Sequence, residues 1–498
     1  MHDALLEIGC EELPVSYIKP ALEQMRGLAE DLCSKKMLRF SMPAVTAATP
    51  RRLILILPQV ADKSVRTTQR IAGPPERMLK DDHGDYTMAA VGFAKKCAIP
   101  VQELKCFDGK VCAEIEVGGE KARKILAQIF PEIIQSIRFP KTMMWEKTGF
   151  RFARPVRNIV ALIGSDTIKF TLAGIKSGKT TYGLYTAGMK KIDITNADSF
   201  SEILRSKGIR TDHHDRKEYM KRLMTDVLGA GKERVIEDDE LLDENVFLVE
   251  MPSVVAGNFD LSYLELPREI LITCMRTKQK FFSVLDESGR LINRFIGFRN
   301  GPTESHGSVR EGFERVLTAR LEDAKFFYEH DKKNPLSSMT EQLTGVMFHE
   351  KLGTVYDKIH RMRQLIEQAL SHGLPMNHEQ KDQSLHAAQL AKADLVSALV
   401  FEYPELQGIA GRLYAAAQGI DPDICQAIED HYKPLGPHDS LPVNVIGSCV
   451  ALADKCDSLA GYFLAGIIPS GNKDPFGLRR QALGIIRIIL DNQYHIDC

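Results

Sequence analysis

The chain has 498 residues, and at about 150 residues per domain this length predicts roughly three domains, each with a sizeable hydrophobic core. Its 65 Lys and Arg residues are balanced by 66 Asp and Glu residues, which excludes a protein-wide positive field that could gather nucleic acid. Any nucleic-acid site must therefore be a local patch, and the 44% hydrophobic content excludes an intrinsically disordered chain.

The first predicted domain covers residues 1–197 and mixes short strands with helices. Apolar runs at 53–57 and 159–163 predict strands. The segment at 173–180 resembles a phosphate-binding loop, but only three residues separate its two glycines where the strict pattern has four. We therefore predict a basic turn between strands at this position.

The second predicted domain covers residues 198–333. Asp212 is predicted to cap a charged helix at 216–228, because its side chain can accept hydrogen bonds from the first free backbone N–H groups. The turn residues at 286–289 predict a hairpin between two strands.

A strongly periodic helix is predicted at 308–328. Its apolar face is formed by Phe313, Val316, Leu317, Leu321 and Ala324. Arg320 falls on the same side of this helix. Because a buried guanidinium needs a partner, Arg320 is predicted either to form a core ion pair or to contact a phosphate of nucleic acid or substrate.

The third predicted domain covers residues 334–498 and is all-α, with periodic apolar residues at 385–400 and 445–464. No apolar run approaches the ~18 residues that a membrane helix needs. The N-terminus carries acidic residues where a secretion signal has basic and apolar ones. We therefore expect a cytoplasmic protein that does not bind membranes.

Two further residue types invite a chemical interpretation. His-Asp pairs at 213–215, 330–331 and 438–439 resemble fragments of metal sites, but their positions at helix ends and in a loop predict capping or solvated roles. The ten cysteines contain no Cys-x-x-Cys pair, so we predict reduced and mostly buried thiols.

Basic and aromatic residues interleave at 276–282 and at 138–157. Such clusters can hold phosphates and stack exposed bases, whereas the simpler alternative is a solvated strand face with its aromatic residues in the core. Taken by themselves, composition and spacing leave both an RNA-binding protein and an enzyme open.

A series of segments in collinear order resembles the bacterial glycyl-tRNA synthetase beta subunit. The resemblance extends over essentially the whole chain. The segments are EIGCEELP (7–14), TPRRL (49–53), PKTMMW (140–145), FARPVR (152–157), QKFF (279–282), RLEDAKFF (320–327), KLGT (351–354), KADL (392–395), FEYPELQG (401–408), ADK (453–455) and DPFGLRR (474–480).

The resemblance implies an alpha-two beta-two glycine-tRNA ligase. In such an enzyme the separate alpha subunit holds the active site for glycine, ATP and Mg²⁺, and the beta subunit binds and positions tRNA(Gly). The implied fold is multidomain α+β, with mixed α/β N-terminal and middle domains followed by an all-α HD-like domain. The N-terminal part is expected to include a tRNA-binding module similar to one in phenylalanyl-tRNA synthetase.

No catalytic residue and no cofactor are therefore assigned to this chain. Candidate tRNA contacts are basic residues that can hold phosphates, in part by bidentate hydrogen bonds. They are Arg154, Arg157, Arg276, Lys278, Lys280, Arg310 and Arg320.

The HD-like domain is expected to hold no catalytic metal. Ala393 stands where the metal-binding motif has its central His, and only Asp394 and Asp454 remain of the pattern. Two isolated aspartates provide too few ligands for a transition metal, unless His349 or His360 contributes.

The chain departs from the family pattern in three places. Gly183-Leu184-Tyr185-Thr186 stands in place of the usual Gly-His-Arg-Phe, and Phe313 and Thr318 replace an expected Asn and Arg. The C-terminal anticodon-binding segment of the family is expected to be missing. Two other functions stay open, a metal-dependent HD-type phosphohydrolase and an RNA-binding scaffold without a catalytic partner.

Overall fold

A computed structural model describes residues 1–81, 83–229, 231–302, 306–370, 373–470 and 474–495. Contacts divide the chain into two compact units. The first comprises residues 1–229, 238–254 and 298–304, and the second comprises residues 230–237, 255–297 and 305–498. Within the described ranges, no helix has the length and apolar character needed to cross a membrane.

The first unit contains both strands and helices. Its strands are β1 (His2–Cys10), β2 (Val45–Thr49), β3 (Arg52–Val60), β4 (Thr67–Pro75), β5 (Lys105–Phe107), β6 (Lys110–Val117), β7 (Val156–Ile163), β8 (Asp166–Thr167), β9 (Thr171–Leu172), β10 (Ile175–Lys176), β11 (Thr180–Tyr182) and β12 (Lys191–Asp193). Its helices are α1 (Val15–Lys35), α2 (Met88–Cys97), α3 (Ala122–Ser136), α4 (Phe200–Ser206), α5 (His213–Leu228) and α6 (Asp239–Val246), with 3₁₀ turns at Glu76–Met78, Val101–Glu103 and Tyr185–Ala187.

An antiparallel sheet of order β2-β3-β1-β7-β8 forms the centre of this unit. Leu6 and Ile8 of β1 pack into a core with α1 and α3, whereas Leu5 faces a second core that contains Phe200 of α4. Because both faces of the sheet are covered, β1, β3 and β7 each contain an unbroken apolar run. This explains the unbroken run at 53–57, where the predicted strand is confirmed.

A smaller sheet of order β4-β6-β5 lies between β3 and α3 in the sequence. It packs against α2 around its own apolar cluster, which includes Ala90, Ala94 and Val111. The hairpin of β9 and β10 turns at Ala173 and Gly174, both of which have positive φ values. A turn between strands is therefore confirmed at 173–174, whereas β10 and the first residue of β11 occupy part of the predicted segment 173–180.

The second unit combines most of a four-stranded sheet, a two-stranded hairpin and a helical region. The remaining strands of the chain are β13 (Arg234–Val235), β14 (Pro252–Asn258), β15 (Phe282–Leu285), β16 (Leu291–Asn300), β17 (Met347–His349) and β18 (Gly353–Thr354). The helices are α7 (Arg268–Gln279), α8 (His306–Asp331), α9 (Leu336–Gln342), α10 (Val355–Leu365), α11 (His378–Leu390), α12 (Ala398–Glu402), α13 (Ile409–Ala417), α14 (Pro422–Asp430), α15 (Val445–Leu464) and α16 (Leu478–Asp491). A π-helical turn at Ile366–Leu370 continues α10, and 3₁₀ turns lie at Leu261–Glu265, Leu343–Gly345, Ala393–Val396 and Pro404–Leu406.

The core of the helical region is organised around α15. Most of its residues are buried, and it packs against α10, α11, α14 and α16. The helix predicted at 445–464 is confirmed, and so is the mixed α/β architecture with a helical C-terminal region. The short hairpin of β17 and β18 is an exception to the all-α prediction for this part of the chain.

Several local predictions are confirmed by backbone geometry. Asp212 accepts hydrogen bonds from the N–H groups of His214 and Asp215, so it caps α5. Leu285 and Leu291 pair across the hairpin predicted at 286–289. The described cysteines are free and mostly buried, while Cys498 lies outside the described residues.

The prediction that Arg320 lies on the apolar side of its helix is wrong. Arg320 of α8 is 45% exposed, and Val316 is 47% exposed. The buried stripe is centred on Leu317, Leu321 and Ala324, and at 100° per residue Arg320 lies about 70° to the side of that centre. The apolar stripe is thus narrower than the sequence pattern indicated.

Three charged residues are buried together in the first unit. Arg52 of β3 places its Nε 3.0 Å from Glu7 Oε1 on the neighbouring β1, and its Nη1 contacts Glu250. Thr181 donates to Glu7 Oε1 over 2.6 Å, and Thr49 donates to Glu250 Oε1 over 2.5 Å. Burial raises the pKa of Glu7 in spite of the nearby Arg52 charge.

Replacing Arg52 by Met should lower the free energy of unfolding by about 3–5 kcal/mol, because two buried carboxylates lose their common cation. The matched control is Arg70→Met, since Arg70 pairs with Glu114 while about half exposed. Its loss should cost less than about 1 kcal/mol. Urea denaturation of both variants measures the difference, and equal costs would contradict the importance of the buried cluster.

Candidate nucleic-acid interface

Three predicted tRNA contacts lie at the end of α7 in the second unit. Arg276 and Lys278 occupy its last turn, and Lys280 ends the helix by adopting a positive φ of 57°. Positive side chains are favoured there by the partial negative charge at a helix C-terminus. Phe281 and Phe282 follow and are buried, so the aromatic residues of this segment belong to the core.

Tyr403 connects the end of α7 with the middle of α8. Lys278 Nζ lies 5.1 Å from the centre of the Tyr403 ring and donates to Glu402 Oε1 over 2.7 Å. The Tyr403 hydroxyl is 3.5 Å from the carbonyl oxygen of Arg320. The structure thus brings Lys278 and Arg320, which are distant in sequence, to one part of the second unit.

Phe401 is an aromatic residue of this region that the sequence analysis did not single out. It is 86% exposed on α12, next to Glu402, the partner of Lys278. An exposed ring beside basic residues can stack on an unpaired base. Nothing in the local sequence distinguishes the exposed Phe401 from Leu399 and Val400, the apolar residues before it, which are buried. We define the α7-α8-α12 surface by Lys278, Arg320 and Phe401, and Arg276 and Lys280 flank Lys278 along the chain at the end of α7.

Arg310 lies apart from this surface along α8. It is exposed, and ten residues of helix place it about 15 Å from Arg320 along the axis. Arg320 itself has Asp323 as a neighbour, with 3.7 Å between Nη1 and Oδ2. The two arginines can therefore contact different phosphates of one backbone, but not the same phosphate.

The other two predicted contacts belong to the first unit. Arg157 donates to Glu11 Oε1 over 2.6 Å, and Arg51 lies 2.5 Å from Glu11 Oε2. Burial raises the pKa of Glu11, but the hydrogen bonds from Arg157 and Arg51 outweigh it and lower the pKa overall. Arg154 is exposed and donates to the carbonyl of Ala153 over 3.0 Å, a contact that leaves its charge uncompensated.

Asp394 has a structural role in the helical region. It is completely buried, and its Oδ2 accepts the N–H groups of Gly408 and Gly411 over 2.6 and 3.1 Å. These bonds hold the beginning of α13. Burial raises the pKa of Asp394 to about 6.

Asp454 is bound by two lysines. Its Oδ1 lies 3.0 Å from Lys392 Nζ and 3.2 Å from Lys358 Nζ. Burial alone raises the pKa of Asp454, but the two ammonium groups outweigh it and hold the pKa well below its usual range. Ammonium groups at these distances repel a divalent cation. The residues present do not fit a metal, and the described residues contain no cluster of three His, Cys, Asp or Glu side chains arranged to hold one.

Comparison with known proteins gives one consistent result. The family model described as glycyl-tRNA synthetase beta subunit matches residues 4–498. The chain belongs to this family. It is 38% identical over 500 residues to a glycine-tRNA ligase beta subunit from Desulfatibacillum aliphaticivorans, covering 100% of this chain and 72% of that protein. A beta subunit from Moorella thermoacetica is 39% identical over 494 residues, covering 98% of this chain and 71% of the relative.

The positions at which the chain departs from the expected family pattern contact its own fold. Leu184 is buried, and the Arg51 guanidinium lies 5.0 Å from the centre of the Tyr185 ring. Phe313 packs 4.9 Å from Phe281, measured between ring centres. The Thr318 hydroxyl donates to the carbonyl of Glu314, one turn earlier in α8, over 2.8 Å.

His431, which follows α14, generates a prediction about pH. It is fully buried, and burial together with the charges of Lys392 and Lys455 lowers its pKa well below 6.5, although Asp454 acts in the opposite direction. The unfolded chain therefore takes up a proton that the folded chain does not. Stability should fall as the pH decreases below 6.5, with a slope approaching about 1.4 kcal/mol per pH unit from this residue.

His431→Gln should reduce this slope, whereas His438→Gln, in an exposed loop, should leave it unchanged. Urea denaturation between neutral pH and about pH 5 measures both. An unchanged slope in His431→Gln would show that the buried imidazole takes no part in the acid sensitivity.

Proposed function

We propose that this chain binds tRNA(Gly) and places its 3′ end in the active site of a separate alpha subunit, which attaches glycine. The family match over residues 4–498 is the observation that carries this proposal. We further propose an alpha-two beta-two assembly in the cytoplasm. In this assembly ATP and Mg²⁺ bind to the alpha subunit, and this chain supplies binding energy and orientation.

We assign the tRNA backbone to two groups of basic residues. One group is the α7-α8-α12 surface with Arg276, Lys280 and Arg310, and the other is Arg154 with Arg157. Exposure and charge support Arg154, Arg310 and Arg320. Lys278 and Arg157 are each bound to a carboxylate, so a phosphate has to replace that carboxylate when RNA binds.

The three-domain division at 1–197, 198–333 and 334–498 is part of the same proposal. Within the first domain we place the tRNA-binding module that is similar to one in phenylalanyl-tRNA synthetase. The third is proposed as an HD-like domain whose metal centre is lost. The engagement of Asp394 by backbone N–H groups and of Asp454 by lysines supports that loss, and it argues against a phosphohydrolase.

Glycylation should require both subunits. We expect this chain alone to form neither glycyl-adenylate nor glycyl-tRNA, and the alpha subunit alone to form little glycyl-tRNA. The two proteins, made separately and mixed, should charge tRNA(Gly) with labelled glycine. Adenylate formation by this chain alone would overturn the division of labour, and charging of unrelated tRNA at an equal rate would overturn the assignment to tRNA(Gly).

Binding of tRNA should depend on salt through local cations, because each phosphate contact releases counterions. Lys278→Ala should weaken binding and reduce the slope of log K against log salt by about one. Glu402→Gln should strengthen binding, because it frees Lys278 from its carboxylate. Lys333→Ala, an exposed lysine beyond the end of α8, is the control.

Filter binding over a range of salt concentrations measures these effects. A merely structural role of the Lys278-Glu402 pair predicts that both substitutions weaken binding. Opposite signs for the two variants are therefore the result expected when RNA phosphate lies close to this pair, and they exclude a merely structural role.

A further inference from the structure

A cavity of about 270 Å³ lies in the second unit and is not used by the proposed function. It is bordered by α10, by α15, by the beginning of α16 and by the loop after α14. Among the described residues, four cations line it, namely Lys358, Lys392, Lys455 and Arg480, and one carboxylate, that of Asp454. Most protein cavities of this size are lined mainly by apolar groups, so the excess of positive charge requires an explanation.

The three lysines are buried within the fold. Lys358, Lys392 and Lys455 are 3%, 6% and 4% exposed. Lys392 shares Asp454 with Lys358 and lies 3.9 Å from the centre of the Tyr432 ring. Lysines are rarely buried unless they are paired, because desolvation of an ammonium group is expensive.

The carboxylates that contact these lysines are shared with other cations, and Asp394 and Asp439 also act electrostatically on Lys392 and Lys455. Asp457 is 3.0 Å from Lys358 Nζ, but it also accepts from Arg361 over 2.6 Å. Lys455 donates to two backbone carbonyls, those of His431 and Tyr432, over 3.3 and 3.2 Å. Carbonyl oxygens satisfy the hydrogen-bonding groups of an ammonium but do not neutralise it.

The electrostatic state of Lys392 agrees with a shortage of negative charge. Burial, together with the charges of Lys358 and Lys455, lowers its pKa to about 8 in spite of Asp454. Burial likewise lowers the pKa of Lys455. A bound anion would favour the charged forms of both groups.

Three of the segments that carry the family resemblance converge on this cavity. KADL contributes Lys392, ADK contributes Asp454 and Lys455, and DPFGLRR contributes Phe476 and Arg480. Phe476 stacks 4.4 Å from Tyr462 between ring centres and remains partly exposed at the rim. The cavity therefore combines a cationic wall with an apolar rim.

We propose that this cavity is an anion site that binds the phosphate group of a nucleotide-sized phosphate ester, with Lys392, Lys455 and Arg480 on the phosphate and the apolar rim on the organic part. Lys358 contributes charge only, because its ammonium already donates to the Asp454 carbonyl, to Asp457 and to Ser458. Lysine and arginine are the residues that proteins use for phosphate, Arg through its planar array of donors. The phosphate can belong to a free nucleotide or to RNA, and the experiment distinguishes these sources.

The experiment titrates the full chain, without the alpha subunit, with inorganic phosphate and with adenosine 5′-monophosphate by calorimetry. Saturable binding of one ligand per chain is expected. Arg480→Gln should weaken it about tenfold, whereas Arg479→Gln should not, because Arg479 is adjacent but does not line the cavity. Arg480 is exposed, so its replacement should not disturb folding.

Lys392→Gln is the second variant and should weaken binding at least as much. Its circular dichroism spectrum is compared with that of the unmodified chain, since a buried lysine also contacts Asp454. The site is refuted if neither ligand shows saturable binding, or if Arg479→Gln weakens binding as much as Arg480→Gln.

Competition with tRNA identifies the source of the phosphate. Displacement of bound nucleotide by tRNA in the unmodified chain assigns the site to RNA, and undisturbed nucleotide binding assigns it to a free ligand. No glycylation is measured, so this inference and the proposed function can fail independently of one another.

Discussion

The fold of the first unit depends on one buried cation that is shared by two buried carboxylates. Arg52 on β3 contacts Glu7 on β1 and Glu250 beyond α6, and none of the three has appreciable access to solvent. Because an unpaired charge in this position is costly, the strands and the segment around Glu250 have to meet in one register. Arg216 is buried differently, since it donates to the backbone carbonyls of Ala48 and Val246 over 2.7 and 2.8 Å.

The rule that a charge needs a partner also applies to the basic residues at the surface, which we propose as tRNA contacts. Lys278 and Arg157 are occupied by carboxylates, while Arg154 donates to a carbonyl group. A paired cation gains less from a phosphate than an unpaired one, because it gives up an existing partner. In the tRNA contacts that we propose, these carboxylates compete with the phosphate, which favours a matching backbone over an arbitrary polyanion.

In the second unit, lysines lie where a metal ion would have to lie in order to bind the Asp454 carboxylate. Lys358 and Lys392 lie within 3.2 Å of Asp454, and they neutralise it without any external ion. These contacts do not fit a metal ion, and among the described residues that line the cavity the cations outnumber the carboxylate. One set of contacts thus accounts for the poor fit to a metal and for the affinity for anions that we infer.

The sequence by itself determined features that depend on residues close together in the chain. The strand at 53–57, the cap by Asp212 and the helix at 445–464 follow from alternation, capping chemistry and helical periodicity, and the collinear segments determined the family. Only the tertiary structure decided which charges are buried or exposed. Arg320 is exposed and Lys392 is buried because burial depends on the elements packed against a residue, and these come from distant parts of the chain.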